Sequence, residues 1–205
     1  MEIKRTKFNI CLLGEGDVGK TTLVSVFSGN EFNINTLKTV GVESYLFFEK
    51  YDGKEYKFKV FDTAGQERYK SISNSTIRVA DGFLLVYSVA DKKTFELLDY
   101  WLNTISEQCD ITRKVLFLIG NKIDVEKREV SNEEAVNYAK INNLIYCETS
   151  AKSGFGVRET FKKLFYSVYQ KLENEINNEE EVVRVTSVEL DKNQLKKKDN
   201  KNCTC

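Results

Sequence analysis

The sequence predicts a doubly wound α/β domain, a mostly parallel sheet with one antiparallel edge strand and helices on both faces. Three observations carry this. Short apolar blocks without alternation recur at 8–13, 83–89 and 115–119, as strands covered on both faces do. Helical periodicities lie among them, and strands alternating with helices give this fold class. One segment breaks the pattern: β-rich runs at 44–51 and 55–61 flank Asp52-Gly53, a strong hairpin signal that places an antiparallel strand at the sheet edge.

In chain order, the first block runs into a glycine-rich turn and then a helix, and the hairpin follows. The second block precedes Phe95, Leu98, Leu102 and Ile105, spaced for one helix face. After the third block, Ser131 with Glu134 makes a capping box that opens another helix. Val157, Phe161, Leu164, Phe165, Val168 and Leu172 mark a long amphipathic helix. There is no internal repeat. Beyond about Asn174 the chain has only scattered Val and Leu, no aromatic residue, acid at 179–181 and Lys196 to Lys198. Such a segment buries too little apolar surface to offset its ordering entropy. The expected organisation is a folded domain over 1–174 and a flexible tail over 175–205.

The 205 residues carry 31 basic and 31 acidic side chains, five cysteines, no proline and no histidine. Without histidine there is no Ser-His-Asp or Cys-His catalysis, no His-ligated metal and no imidazole base. Any enzyme here works by positioning, carboxylates, amides or a hard metal ion. Turns must be made by Gly, Asn and Asp. Balanced charge argues against nucleic acid as a partner, because counterion release needs a basic excess. No apolar run approaches a membrane span and no signal peptide is visible, so the chain reads as cytosolic, with Cys11, Cys109 and Cys147 reduced and buried.

Directly after the first strand, Gly14-Glu15-Gly16-Asp17-Val18-Gly19-Lys20-Thr21 fits G-x-x-x-x-G-K-[ST]. The spacing suits a loop that wraps phosphate with successive backbone N–H groups and adds a helix dipole. Lys20 would reach the β and γ phosphates and the Thr21 hydroxyl would ligate Mg²⁺. An ordinary strand-turn-helix connection is the bland alternative, and the strand-to-helix context weighs against it.

A second block selects the base. Asn121-Lys122-Ile123-Asp124 follows the third strand, where open α/β sheets carry ligand contacts. The Asp124 carboxylate can accept from N1–H and the exocyclic amine of guanine. Adenine offers no such donor pair, and an unpaired buried group costs about 1 to 3 kcal/mol. Alone the string reads as a polar loop, but in this order after a phosphate loop it is a strong signal.

In these motifs the chain resembles the Ras-superfamily small GTPases over about 7–172. The resemblance implies a six-stranded P-loop GTPase fold, GTP/GDP and Mg²⁺ as ligands, and a nucleotide-binding set that includes Gly16, Asp17, Val18, Gly19, Lys20, Thr21 and Thr22. Thr39 lies in a segment that resembles switch I and would close onto Mg²⁺ and the γ-phosphate, and Phe32 falls where the family stacks a ring near guanine. The run from Asp62 to Glu67 resembles switch II. Asp62 would hold the Mg²⁺ shell, the Gly65 amide would sense the γ-phosphate and Gln66 would orient water. Glu148-Thr149-Ser150-Ala151-Lys152 resembles the last guanine loop, in which Ser150, Ala151 and Lys152 support the base beside Asn121, Lys122 and Asp124. The run from Gln66 to Ile72 and the terminal Cys203-Thr204-Cys205 are similar to the Rab branch. Phe61 and the stretch 76–82 depart from that branch, and 81–88 reads more like the Ras branch.

Phosphoryl transfer asks little covalent chemistry of the protein. The resemblance implies slow GTP hydrolysis with Lys20 and Gln66 as the catalytic pair, a GTPase-activating protein, an exchange factor and effectors as partners, a monomer, and work in vesicle trafficking. Asp17 stands where the family has a small or neutral residue; like-charge repulsion there predicts weakened affinity and fast exchange, unless the side chain turns to solvent. Cys203 and Cys205 resemble a double geranylgeranylation signal rather than a C-a-a-X box. Two lipids would anchor the protein to the cytoplasmic face of an intracellular membrane while it cycles with cytosol. The competing readings are a Ras-branch-like signalling GTPase, a non-hydrolysing guanine-nucleotide scaffold, and a P-loop ATPase or nucleotide kinase.

Overall fold

The computed structural model describes residues 6–33, 39, 41–63 and 70–175. Gly65, Gln66, Cys203, Cys205 and the tail runs at 179–181 and 196–198 therefore lie outside the described residues. Six strands form one sheet in the order β2-β3-β1-β4-β5-β6. They are β1 (Lys7–Leu13), β2 (Val42–Tyr51), β3 (Lys54–Thr63), β4 (Gly82–Ser88), β5 (Val115–Asn121) and β6 (Ile145–Glu148). β2 pairs antiparallel with β3, and the remaining ladders are parallel.

The hairpin joining β2 to β3 puts Asp52 at φ 49 and Gly53 at φ 75, the left-handed pair of a two-residue turn whose twist matches the strands. β4 and β5 are buried at every position, which is why their sequences do not alternate. β2 alternates half-buried with exposed residues, as an edge strand covered on one face does.

The helices divide between the two faces. On one lie α1 (Lys20–Phe27) and residues 157–168 of α6, which is helical from 157. Their rings interleave: Phe27 stacks on Phe161 at 4.4 Å and Phe165 on Phe58 of β3 at 4.2 Å. Gly82 makes room for this helix, because a Cβ there would meet Val168 at 2.8 Å. The other face carries α2 (Lys70–Val79), α3 (Lys92–Glu96), α4 (Leu98–Gln108) and α5 (Asn132–Ile141), around a core that includes Phe83, Leu85, Trp101 and Leu118. α3 and α4 are two helices broken at Leu97 rather than one, and Trp101 joins Leu98 and Ile105 as a buried side chain of the second, whereas Leu102 is only partly buried.

Ser131 caps α5 by accepting from the Glu134 N–H at 3.1 Å, but the Glu134 carboxylate pairs with Lys92. Cys11 is buried, whereas Cys109 and Cys147 are half-buried rather than enclosed. Contacts divide the chain into two units, Met1–Val168 and Tyr169–Cys205. In the second unit the described residues 169–175 are helical. Among the described residues no helix is long and apolar enough to cross a membrane.

Candidate nucleotide site

β1 ends at Leu13, and the loop that follows turns on two backbone positions only glycine fits well. Gly14 has φ 141, and a Cβ there would run into the Val86 carbonyl. Gly19 has φ 98 and caps α1 with no side-chain hydrogen bond. The first-turn N–H groups of α1 therefore have no capping side chain, the arrangement that receives an anion. Val18 is fully buried and anchors the loop. Asp17 is exposed at φ 59, and its charge reaches Lys20.

Lys20 is buried, with its ammonium donating to the carbonyls of Gly14 and Glu15 at 2.7 Å each. Burial pulls its pKa down to about 8, against the opposing fields of Asp62, Glu15 and Asp17. Phosphate brought to this loop would favour the charged ammonium and raise that pKa again.

The structure brings Thr21, Thr39 and Asp62 together from three separate segments. The Thr21 hydroxyl donates to Asp62 Oδ2 at 2.6 Å and lies 2.6 Å from the Thr39 hydroxyl. Asp62 sits at the end of β3, where its partner across the parallel ladder is Leu12. Its other oxygen, Oδ1, is buried with no hydrogen-bond partner. Burial raises the Asp62 carboxyl above the usual carboxylate range despite the Thr21 hydrogen bond and Lys20. A buried carboxylate oxygen without a donor, beside two hydroxyls, is a set of hard oxygen ligands that fits Mg²⁺.

A cavity of about 210 Å³ opens next to this cluster, lined by Gly19, Thr22, Phe32, Asn121, Lys122, Asp124, Val125, Ala151 and Lys152. Its floor is Asn121, 1% exposed at the end of β5. The Asn121 amide donates to the Val18 carbonyl at 2.8 Å and accepts from the Thr149 hydroxyl and the Ala151 N–H at 3.1 and 3.3 Å. Ser150 donates to Asp124 at 2.6 Å and itself accepts from the Ser153 N–H. Lys152 lies 4.0 Å from the same carboxylate. Lys122 takes φ 67, a left-handed kink that follows the strand directly.

Of the residues singled out in the sequence, Gly16 and Asp17 belong to the phosphate loop, and Thr21, Thr39 and Asp62 meet in one cluster, with Lys20 near enough for its charge to act on Asp62. Thr22, Phe32, Asn121, Lys122, Asp124, Ala151 and Lys152 share the adjoining cavity, with Ser150 behind Asp124. Sequence reasoning did not reach Arg128 and Tyr146, which donate to Glu148, or Tyr87, which meets the Tyr146 hydroxyl; no motif spacing marks them.

The family model described as Ras family matches residues 9–170. The chain is 38% identical over 165 residues to Ras-related protein Rab-13 of Canis lupus familiaris, covering 80% of this chain and 81% of that one. It is likewise 38% identical over 168 residues to Ras-related protein rab-11.1 of Caenorhabditis elegans, covering 82% of this chain and 79% of the relative. Sheet order, phosphate loop and relatives agree: the chain belongs to the Ras family of small GTPases, within its Rab branch.

Proposed function

We propose that the protein is a membrane-recruited switch that binds GTP or GDP with Mg²⁺, hydrolyses GTP slowly and recruits effectors in vesicle trafficking. The observation that carries this reading is the meeting of Thr21, Thr39 and Asp62 around an unpartnered buried carboxylate oxygen. Thr21, Thr39 and Asp62 would hold Mg²⁺, which when bound supplies positive charge to the phosphates. Lys20 and the N–H groups of the phosphate loop, Gly16 to Thr21, bind the phosphate oxygens and spread developing charge. Asn121, Lys122, Asp124, Ser150, Ala151 and Lys152 take the guanine base, with Thr22 and Phe32 at the cavity wall. Asp124 accepts from its N1–H and amine.

In the same reading Gln66 orients the attacking water and Gly65 senses the γ-phosphate, so both switches follow the state of the nucleotide. The sequence of the phosphate loop holds no arginine, and a GTPase-activating protein would speed hydrolysis by about 10³ to 10⁵-fold. An exchange factor and effectors act through the two switches. The folded switch spans 1–174, and the tail 175–205 carries lipids on Cys203 and Cys205 that hold a monomer at the cytoplasmic face of an intracellular membrane, from which it cycles to the cytosol.

The test is to denature the purified protein and identify what it releases. Guanine nucleotide is the expected result, and adenine nucleotide would overturn the reading. Single-turnover GTP hydrolysis separates the switch from a non-hydrolysing scaffold, and intact mass of protein from native cells reads the lipids directly.

A further inference from the structure

Next to the last base loop, three polar side chains converge on one carboxylate. Glu148 closes β6, immediately before Thr149 to Lys152. Its Oε1 accepts from the Tyr146 hydroxyl at 2.7 Å, from the Asn132 amide at 3.1 Å and from the Arg128 guanidinium. Arg128 is itself fixed by donating Nε to the Val130 carbonyl at 2.6 Å. The Tyr146 hydroxyl lies 3.1 Å from that of Tyr87 on β4. Gly120 makes room for this pair, since a Cβ there would stand 2.8 Å from one hydroxyl and 3.0 Å from the other.

These contacts span the two loops that carry the base contacts. Arg128 belongs to the loop that leaves β5 through Lys122 and Asp124. Glu148 belongs to the strand that leads into Ser150 and Ala151. The Arg128–Glu148 pair therefore bridges the Asp124 side of the cavity to the Ser150 side, and Tyr146 sets where the carboxylate stands between them. The phosphate loop is held elsewhere, through Asn121 and Val18.

Resting on the guanine-nucleotide reading above, we propose that Tyr146, acting through Glu148 and Arg128, is a positioning residue for discrimination at the base. It touches no nucleotide; it holds the angle at which Asp124 and Ser150 face the cavity. A bidentate carboxylate contact demands that angle, whereas a single hydrogen bond tolerates error in it. Loosening the bridge costs the exocyclic-amine contact first, so a nucleotide that lacks the amine is affected less.

The full-length protein is loaded with fluorescently labelled GDP or IDP, and release is followed after adding excess unlabelled nucleotide. Tyr146→Phe is expected to speed GDP release about tenfold, the scale of one hydrogen bond to a charged group, and IDP release less than about twofold by the same scale. In a Glu148→Ala background, which leaves no acceptor for the Tyr146 hydroxyl, the Tyr146→Phe change should alter GDP release by less than about twofold, because its route is already cut. Equal acceleration of both nucleotides, or additive effects in the double variant, overturns the proposal. Arg128→Lys keeps the charge but cannot hold the Val130 carbonyl and Glu148 at once with a planar guanidinium, which loosens the bridge from the other side. It should narrow the GDP to IDP ratio in the same direction, and an unchanged ratio overturns the proposal even where Tyr146→Phe does not fold. A parent protein that retains neither GDP nor IDP overturns the guanine reading itself, whereas a parent that holds GDP with unresponsive variants overturns the positioning role alone.

Discussion

The Asn121 side chain donates to the Val18 carbonyl at 2.8 Å, joining the end of β5 to the phosphate loop 103 residues earlier in the chain. The same amide oxygen collects the Thr149 hydroxyl and the Ala151 N–H, so one buried side chain sets the spacing between the phosphate loop and both base loops. Asn121→Ala strands a carbonyl, a hydroxyl and an N–H away from water. An overall loss of about 3 kcal/mol is expected, less than the sum of three unsatisfied groups because the loops relax. Urea denaturation of the nucleotide-free protein reads it as a lower midpoint at unchanged slope.

Gly14 and Gly29 separate two costs of adding a methyl group. Both have positive φ, 141 and 91, but a Cβ at Gly14 meets the Val86 carbonyl while one at Gly29 meets nothing within 4 Å. Gly29→Ala should cost about 1 kcal/mol from the backbone conformation alone. Gly14→Ala should cost about 3 kcal/mol or more, because backbone in a parallel strand cannot yield as a side chain does. Similar melting temperatures for the two variants would contradict this account of the loop.

Much of this architecture is legible in the sequence, for physical reasons that differ by element. β4 and β5 are buried at every residue, so they read as unbroken apolar blocks. Asp52-Gly53 marks its hairpin because few other pairs accept left-handed φ at both positions. β6 is four residues long and half-buried throughout, too short for any period to emerge. α2 is built from KSISNSTIRV, rich in residues that prefer caps and turns to helix interiors; its helix rests on packing through Thr76 and Ile77, which are buried. The nucleotide motifs stand out because phosphate and base contacts fix residue type and spacing together. The Tyr87–Tyr146–Glu148–Arg128 cluster does not, since its members come from β4, β6 and a loop at separations that no local rule encodes.

Asp62→Asn should have opposite effects with and without cation. Burial disfavours the Asp62 charge and raises its pKa in the absence of metal, so a neutral amide removes a cost from the folded state. In EDTA and without nucleotide, the melting temperature of Asp62→Asn at pH 7 should therefore be no lower than that of the parent. The gain on adding Mg²⁺ with GDP should vanish, because stabilisation by a ligand scales with its affinity for the folded state. An equal Mg²⁺-dependent shift in parent and variant would remove Asp62 from the metal shell.

Asp17 is exposed, yet its field is felt by the buried Lys20 ammonium. Exposure limits its desolvation, and its φ of 59 is one that aspartate accepts at small cost. Asp17→Gly should thus change the stability of the nucleotide-free protein by less than about 1 kcal/mol. Removing like charge beside the phosphates should slow GDP release, by about tenfold if the repulsion is worth one pKa unit of interaction. Stopped-flow release of labelled GDP measures it, and identical rates would show that solvent screens the carboxylate.

Glu148 makes an acid-sensitive contact away from the phosphates. Burial alone would raise its pKa, but the donors Arg128, Tyr146 and Asn132 outweigh burial and hold it below the ordinary 4.5. For a carboxylate with a depressed folded pKa, the stabilisation is fully present above the unfolded value of 4.5 and is lost as pH falls through the lower folded value. Asp62 contributes with the reverse sign, since its raised pKa means that protonation relieves a cost. The two are separated by taking the difference between parent and Glu148→Gln, in which the Asp62 contribution cancels. That difference should be constant from pH 7 to about 5 and shrink below about 4.5, where the unfolded parent begins to take up a proton on this carboxylate before the folded one does. A denaturation midpoint measured across pH 3.5 to 7 in both proteins checks it, and a difference that grows on acidification would mean that Glu148 is not held as a charged acceptor by Arg128 and Tyr146.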